Sequence, residues 1–227
     1  MASSDLKLLG TLQCPYVCRA RVALNLKSVN YELLVENLGS KSELLLQSNP
    51  VQKKVPVLIH GDKIICESLI IVRYIDQVWT SGPSILPSDA YDHAIACFWA
   101  AYIDQKLVPP LMVIGMTQEE EKRATAIEEV VAALAVLEET FVKCSKGKPF
   151  FGGDSIGYLD IAFGSFLVWL KVAAEVGGKQ LLDETKTPCL VAWAERFCSD
   201  DTVKDIIPDI EKLIEQTRAK LASTNSN

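Results

Sequence analysis

The sequence is poor in histidine and has no long apolar run. Its 227 residues include two histidines, His60 and His93, and neither lies near a cysteine at the spacing of metal ligands. We therefore expect no metal site and no Ser-His-Asp triad. No apolar stretch approaches the roughly 18 residues that a membrane span needs, and the first residues do not resemble a signal peptide. These absences favour a cytoplasmic protein that does not bind membranes.

Positive charge is also scarce. Lys and Arg number 23 against 29 Asp and Glu, which gives a formal net charge of −6. An acidic chain of this kind is not expected to bind nucleic acid or anionic membranes. The seven cysteines are odd in number and scattered, which predicts reduced thiols rather than a disulfide framework. The length and the 49% hydrophobic content suit one large or two small globular domains.

The chain divides into two parts with different patterns. Residues 1–79 alternate apolar runs with helical segments and predict an α/β domain of order β-α-β-α-β-β-α. We expect strands at 6–12, 31–35, 57–59 and 64–65, and helices at 15–27, 41–47 and 67–79. Residues 80–89 contain Ser, Gly, Pro and Asp and predict a linker. Residues 90–227 predict an all-α domain, with helices at 89–116, 117–143, 158–176, 187–197 and 208–222.

Cys14 lies between the first strand and the helix that begins at Pro15. This N-cap position, beside unpaired N–H groups and the positive end of the helix dipole, predicts a thiolate whose pKa lies below the ordinary value near 8.5. Arg19 would strengthen the effect if its side chain turned back. The alternative is a buried structural thiol. Cys18 shares the helix face expected to pack on the sheet, and the three residues between the cysteines differ from the two of the redox motif.

Two further segments can join Cys14 at one edge of the sheet. Pro56 opens a strand and has no N–H, so the backbone of Val55 is free to pair with an extended peptide, beside the positive charge of Lys53-Lys54. Glu67-Ser68 opens the third helix, whose N-terminus suits a carboxylate together with an ammonium. The alternatives are a solvated charged turn and a plain helix cap.

A set of motifs occurs in fixed order along the chain. The set includes Asn49-Pro50-Val51-Gln52-Lys53-Lys54-Val55-Pro56-Val57-Leu58, Glu67-Ser68-Leu69, Tyr74-Ile75-Asp76, Leu86-Pro87-Ser88-Asp89 and Gly157-Tyr158-Leu159-Asp160. With this set the chain resembles the cytosolic glutathione transferases, most of all the plant tau class, which act in detoxification. The resemblance implies a thioredoxin-like N-terminal domain, an all-α C-terminal domain, a homodimer and a cis peptide before Pro56.

The resemblance also implies a glutathione site, with glutathione as a co-substrate and no permanently bound cofactor. Lys41 and Lys54 resemble the family's ligands for the glycyl carboxylate. Val55 matches the backbone partner of the cysteinyl moiety, and Glu67 and Ser68 match the holders of the γ-glutamyl end. A hydrophobic substrate site between the domains is implied at Leu38, Val108, Met112 and Trp169, although each of these could equally belong to the core.

Cys14 departs from the tau pattern, because tau enzymes have a serine at this position. Cys-Pro-Tyr resembles instead the glutaredoxin, omega, lambda and dehydroascorbate-reductase groups, in which the cysteine forms a mixed disulfide with glutathione. The first hypothesis is therefore thiol–disulfide exchange with small disulfide substrates: thioltransfer, deglutathionylation or dehydroascorbate reduction. The alternatives are conventional conjugation of glutathione to hydrophobic electrophiles and non-catalytic ligand carriage.

Overall fold

The computed structural model describes residues 5–223, which form two compact units. One unit holds the described residues up to Leu86 together with Asp201–Ile206, and the other holds Pro87–Asp200 and the described residues from Ile207 onward. The division after Leu86 falls within the segment predicted as a linker. Residues 201–206 contain a short 3₁₀ turn that packs on the first helix of the chain, which the sequence did not indicate.

The first unit has the predicted order β-α-β-α-β-β-α. Its strands are β1 (Leu6–Gly10), β2 (Glu32–Val35), β3 (Val57–His60) and β4 (Lys63–Cys66), and its helices are α1 (Pro15–Leu26), α2 (Glu43–Ser48) and α3 (Ser68–Val78). The strands form one sheet of order β2-β1-β3-β4. β1 is parallel to β2, while the β1–β3 and β3–β4 pairs are antiparallel. The predicted α/β order is confirmed.

Apolar side chains cover both faces of this sheet. Leu9 of β1 lies opposite Val57 of β3, and both pack with Leu45 of α2 in one core cluster. Because successive side chains of a strand point to opposite faces, the buried Leu8 and Leu58 lie on the other face, where α1 and α3 pack together. This two-sided burial explains why β1 and β3 read as continuous apolar runs rather than as alternating patterns.

The end of the first unit is anchored by a buried ion pair. Lys27 Nζ lies 2.7 Å from Asp76 Oδ1 and donates to the carbonyl of Pro83 at 2.7 Å. The Asp76 carboxylate also accepts from the backbone N–H groups of Ile85 (2.9 Å) and Leu86 (3.0 Å). Ile85 and Leu86 are consequently buried, at 2% and 6% exposure, within the segment that composition predicted as a linker.

The second unit is built of helices. They are α4 (Ala90–Tyr102), α5 (Val108–Met116), α6 (Glu120–Ser145), α7 (Tyr158–Gly164), α8 (Leu167–Gly177), α9 (Pro188–Ser199) and α10 (Ile210–Ser223). The expected single helix at 89–116 is interrupted by a π-helical turn at Ile103–Leu107. Pro109 and Pro110 have no N–H to donate to the preceding turn, and the helix widens just before them. The expected helix at 158–176 is also divided, between α7 and α8.

Asp160 organises the turn before α7. Its buried carboxylate accepts four hydrogen bonds: from the backbone N–H groups of Phe151 (2.9 Å), Gly152 (2.8 Å) and Gly157 (2.9 Å), and from the indole N–H of Trp193 (2.7 Å). Burial raises the pKa of this carboxyl to about 6, and the four donors oppose that rise. The carboxylate thus ties the 151–157 turn and α9 to the start of α7.

Candidate functional site

Strand register places three of the predicted segments at one end of the sheet. Leu9 of β1 and Cys66 of β4 both lie opposite Val57 of β3. β1 runs from this end into the loop that holds Cys14, β3 begins here directly after Val55-Pro56, and β4 continues into α3 with Glu67 and Ser68. The end of the sheet therefore presents a thiol, an extended backbone segment and a helix N-terminus.

Cys14 is the N-cap of α1 and is half-buried. A Cβ at Gly10 would lie only 2.5 Å from a methyl carbon of Val17, so glycine at this position lets α1 approach the end of β1 closely. Burial raises the pKa of the Cys14 thiol, while the N–H groups of Val17 and Tyr16 and the charge of Arg19 oppose that rise. The predicted lowering of the pKa is wrong, because removal of the sulfur from water outweighs the helix terminus.

Arg19, in the second turn of α1, contacts the first residue of α3. Its guanidinium is fully buried, donates from Nη1 to Ser68 Oγ at 3.3 Å, and lies over the Tyr16 ring at 5.3 Å from the centroid. The sequence placed Arg19 beside Cys14 but did not indicate its contact with Ser68, which is 49 residues away. The charge of Arg19 acts on the Cys14 thiol and opposes the rise of its pKa.

The backbone of Val55 is available to a ligand. The Val55–Pro56 peptide is cis, as the resemblance implied. Within residues 5–223 no hydrogen bond engages the backbone of Val55, which is half-buried. Asn49 shapes the preceding loop: its Nδ2 donates to the carbonyl of Lys54 at 3.0 Å, and its Oδ1 accepts from the N–H of Gln52 at 3.1 Å. An extended peptide can pair with Val55 here.

Two exposed lysines, Lys41 and Lys54, flank α2 and the loop after it, and neither forms an ion pair with a described residue. Lys41 directly precedes Ser42, whose Oγ accepts from the N–H of Leu45 at 3.0 Å and so caps α2. The same Oγ donates to the buried Glu36 carboxylate at 2.6 Å. Glu36 therefore fixes the loop that carries Lys41, and no motif in the sequence pointed to it.

Glu67 has an unusual backbone conformation at the start of α3. Its φ is +72°, which residues other than glycine rarely adopt. Such conformations persist where the surrounding structure imposes them, often at ligand sites. The Glu67 side chain is exposed, whereas Ser68 is 6% exposed and held by Arg19. The exposed Glu67 carboxylate can bind the ammonium group of a ligand. The N-terminus of α3 can bind a carboxylate of the same ligand.

The four residues predicted for a hydrophobic substrate differ in exposure. Leu38, in the first unit, is 51% exposed. In the second unit Val108 is 4% exposed, while Met112 and Trp169 are half-buried. Trp169 packs against a core cluster formed by α8 and α10. Val108 is thus buried in the second unit, whereas Leu38, Met112 and Trp169 keep exposed surface.

The described part of the chain holds neither a group of metal ligands nor a helix that could span a membrane. Between residues 5 and 223, no three His, Cys, Asp or Glu side chains are grouped as metal ligands would be. Within the same range, every helix is too short or too polar to cross a lipid bilayer. All seven cysteines, which fall in this range, are free thiols.

Known proteins match both units. The model of the glutathione S-transferase N-terminal domain matches residues 4–77, and that of the C-terminal domain matches residues 118–196. Glutathione S-transferase U18 of Arabidopsis thaliana is 58% identical over 219 residues, which cover 96% of each chain. The solved tau-class glutathione S-transferase of mango, Mangifera indica, is 62% identical with a TM-score of 0.92, covering 96% of this chain and 100% of that one.

A second solved structure, rice GST1 in complex with glutathione, is 33% identical with a TM-score of 0.88 and covers 98% of this chain and 99% of its own. The chain therefore belongs to the glutathione S-transferase family. Its relatives place it in the tau class, as an enzyme with a glutathione-binding, thioredoxin-like N-terminal domain and an all-helical C-terminal domain.

Proposed function

We propose that this tau-class enzyme transfers glutathionyl groups by thiol–disulfide exchange at Cys14. The observation that carries the proposal is the position of the thiol. Cys14 is half-buried at the N-cap of α1, where the N–H groups of Val17 and Tyr16 and the charge of Arg19 favour the thiolate. These groups stabilise the anion once it forms, although burial keeps the resting thiol protonated.

The reaction has two exchange steps and uses reduced glutathione as the reductant. The Cys14 thiol first releases its proton to water, and the thiolate attacks the glutathione sulfur of a mixed disulfide. The old S–S bond breaks, and the substrate leaves as a thiolate that takes up a proton. A glutathione thiolate then attacks the Cys14 mixed disulfide. This step releases oxidised glutathione and returns the Cys14 thiolate, so two electrons pass from glutathione to the substrate.

An assay of the unmodified protein tests this proposal. A peptide carrying a glutathione mixed disulfide is incubated with reduced glutathione, and release of the free peptide thiol is followed. We expect release above the uncatalysed rate, and we expect it to increase as pH rises from 6 to 8, because the pKa of Cys14 is raised and only its thiolate reacts. Release at the uncatalysed rate throughout this range would refute exchange.

A second candidate is conjugation of glutathione to hydrophobic electrophiles. The observation in its favour is the raised pKa of Cys14, which keeps the thiol protonated and able to donate a weak hydrogen bond to the thiolate of bound glutathione. Leu38, Val108, Met112 and Trp169 are the proposed holders of the electrophile. Ligand carriage is a third possibility, and it requires affinity for apolar molecules that survives removal of Cys14.

For glutathione itself we propose ligands on three segments. Lys41 and Lys54 attract the glycyl carboxylate, the unpaired backbone of Val55 binds the cysteinyl moiety, and Glu67 with Ser68 binds the γ-glutamyl end. Two exposed cations that pair with no described carboxylate, an open backbone segment and a helix N-terminus suit a tripeptide with two carboxylates. The rice relative is known in complex with glutathione, which supports the assignment.

Substitution of Lys54 tests this site. Lys54→Ala should weaken glutathione binding by about tenfold, because a charge-assisted hydrogen bond is lost while the exposed side chain contributes little to folding. Calorimetric titration with glutathione measures the change. Lys63→Ala, which removes an exposed lysine from β4 at the opposite end of the sheet, is the matched control and should bind normally. Equal affinity of both variants would exclude Lys54 as a ligand.

We also propose a cytoplasmic homodimer. Each unit exposes large apolar side chains: Ile64 (50%) and Ile70 (55%) in the first, and Tyr91 (72%) and Phe98 (59%) on one side of α4 in the second. Tyr91 and Phe98 are seven residues apart and share one face of α4, and the proposed association rests on an exposed apolar face of this kind. Sedimentation velocity should give twice the chain mass, and the mass of a single chain at micromolar concentration would contradict the proposal.

A further inference from the structure

A buried carboxylate, that of Glu36, connects the end of the sheet to the loop that carries Lys41. Glu36 directly follows β2, and its backbone N–H donates to the carbonyl of Gly10 at 2.9 Å. Because Gly10 is the last residue of β1, this hydrogen bond continues the parallel pairing of β1 with β2. The backbone of Glu36 is therefore fixed to the same end of the sheet from which the Cys14 loop leaves.

Both oxygens of the Glu36 carboxylate accept hydrogen bonds from one residue. Oε1 accepts from the hydroxyl of Ser42 at 2.6 Å, and Oε2 accepts from the backbone N–H of Ser42 at 3.2 Å. The Ser42 hydroxyl in turn accepts from the N–H of Leu45 at 3.0 Å, and the Leu45 side chain is fully buried in the core. The carboxylate therefore joins the end of the sheet to the start of α2 through Ser42.

Lys41 lies between two points of the loop that are held in place. On its N-terminal side Asn37 closes a turn, because its carbonyl accepts from the N–H of Ser40 at 3.0 Å. On its C-terminal side Ser42 is held by Glu36. Lys41 itself is exposed and forms no ion pair with a described residue, Glu36 included. The backbone at Lys41 is thus fixed while its ammonium group stays available to a ligand.

We infer that Glu36 is a positioning residue for glutathione, which acts by holding Lys41 where the glycyl carboxylate binds. This role rests on the proposed function, which assigns Lys41 to that carboxylate. A lysine side chain loses rotational freedom when it binds an anion. A loop that is already fixed adds no further ordering cost of its own, and this strengthens binding. The effect of Glu36 is therefore expected in the affinity for the glycyl carboxylate and not in the exchange chemistry.

The direction of the effect separates positioning from simple electrostatics. Neutralising a carboxylate near the site should, by charge alone, strengthen the binding of an anion. Glu36→Gln should weaken it instead, because an amide offers one oxygen to the two donors of Ser42 and places its NH₂ group against the other donor. Glu43→Gln is the matched control. It neutralises an exposed carboxylate one residue beyond Ser42, which accepts from Gln47 at 3.0 Å.

Calorimetric titration with glutathione and with its glycyl ethyl ester tests this role. The ester keeps the γ-glutamyl and cysteinyl parts but lacks the charge that Lys41 binds. Glu36→Gln should weaken the binding of glutathione by about threefold to fivefold and leave the binding of the ester unchanged. Glu43→Gln should bind both compounds as the wild type does. In a Lys41→Ala background, Glu36→Gln should have no further effect, because both substitutions act on one contact.

The same titrations distinguish failure of this role from failure of the proposed glutathione site. If Lys41→Ala weakens glutathione binding and Glu36→Gln does not, Glu36 has no positioning role while Lys41 remains a ligand. Positioning is also refuted if Glu36→Gln weakens glutathione and the ester equally, as general damage to the fold would, or if its effect persists in full without Lys41. If Lys41→Ala binds glutathione as the wild type does, the assignment of Lys41 and the role of Glu36 are both refuted.

Discussion

Replacement of Cys14 by serine should reduce the reduction of a glutathione mixed disulfide to the uncatalysed rate, a loss of about three orders of magnitude or more. A hydroxyl cannot form the S–S bond on which both exchange steps depend. In the same variant, conjugation of glutathione to an aromatic halide should increase. The serine hydroxyl is a better hydrogen-bond donor to the glutathione thiolate than a thiol and does not compete as a nucleophile. Both activities are measured on one preparation.

Cys18→Ser is the matched control for this experiment. Cys18 is also a half-buried thiol of α1, one turn further along, and its N–H donates to the carbonyl of Cys14 at 3.0 Å. We expect the control to keep full exchange activity. If Cys14→Ser retains exchange while Cys18→Ser loses it, the nucleophile has been assigned to the wrong cysteine. If neither substitution reduces exchange, the proposed mechanism is wrong and conjugation is the better account.

Substitution of Asp160 by asparagine should destabilise the protein by about 2–4 kcal/mol at pH 7. Each carboxylate oxygen accepts two N–H groups, those of Phe151 and Trp193 at Oδ1 and those of Gly152 and Gly157 at Oδ2. An amide places its own NH₂ group against two of these donors and leaves them buried without an acceptor. Urea unfolding followed by circular dichroism measures the loss of stability.

The raised pKa of Asp160 also predicts how the stability difference between the wild type and Asp160→Asn changes with pH. Burial raises this pKa from 3.8 to about 6, so the folded protein binds the proton more tightly than the unfolded chain does. The wild type therefore gains stability from this group as pH falls from 6 towards 4, by at most about 3 kcal/mol. The asparagine variant cannot titrate, so the stability gap between the two should widen at low pH.

Asp154→Asn is the control for the Asp160 experiment. Asp154 belongs to the same turn, but it is exposed, and its one ion pair among the described residues is with Lys148, at 3.0 Å. Exposed ion pairs contribute little to stability, so this variant should unfold like the wild type at every pH. An Asp160→Asn protein as stable as the wild type, or a stability gap that narrows as pH falls, would contradict the role assigned to the buried carboxylate.

The sequence predicted the elements of the first unit because local signals and tertiary structure agree there. The apolar runs of β1 and β3 are buried on both faces, Pro15 begins α1, and the Gly61-Asp62 turn joins β3 to β4. Residue order along the strands then sufficed to bring Cys14, Val55 and Glu67 to one end of the sheet. These features depend on a few neighbouring residues, which is the range over which sequence patterns are informative.

The features that the sequence did not predict arise from contacts between distant residues. Burial of the Cys14 sulfur raises the pKa of its thiol, and this reversed the predicted direction of the shift. Arg19 reaches Ser68 across 49 positions, and Trp193 reaches Asp160 across 33. Glu36 accepts a hydrogen bond from the Ser42 hydroxyl, in a loop that carries no recognisable motif. Periodicity shows which face of a helix is buried, but not which polar group that face meets.

The position of the glutathione adduct tests the central proposal most directly. The protein is incubated with oxidised glutathione at several pH values between 6 and 8, and peptide mass spectrometry locates the adduct. We predict one glutathione per chain, attached to Cys14, at a rate that rises about tenfold per pH unit because the thiolate fraction does so below the pKa. Reduced glutathione should remove it. An unmodified Cys14 throughout this range, or an adduct on Cys18, Cys66 or Cys97 instead, would contradict exchange at Cys14.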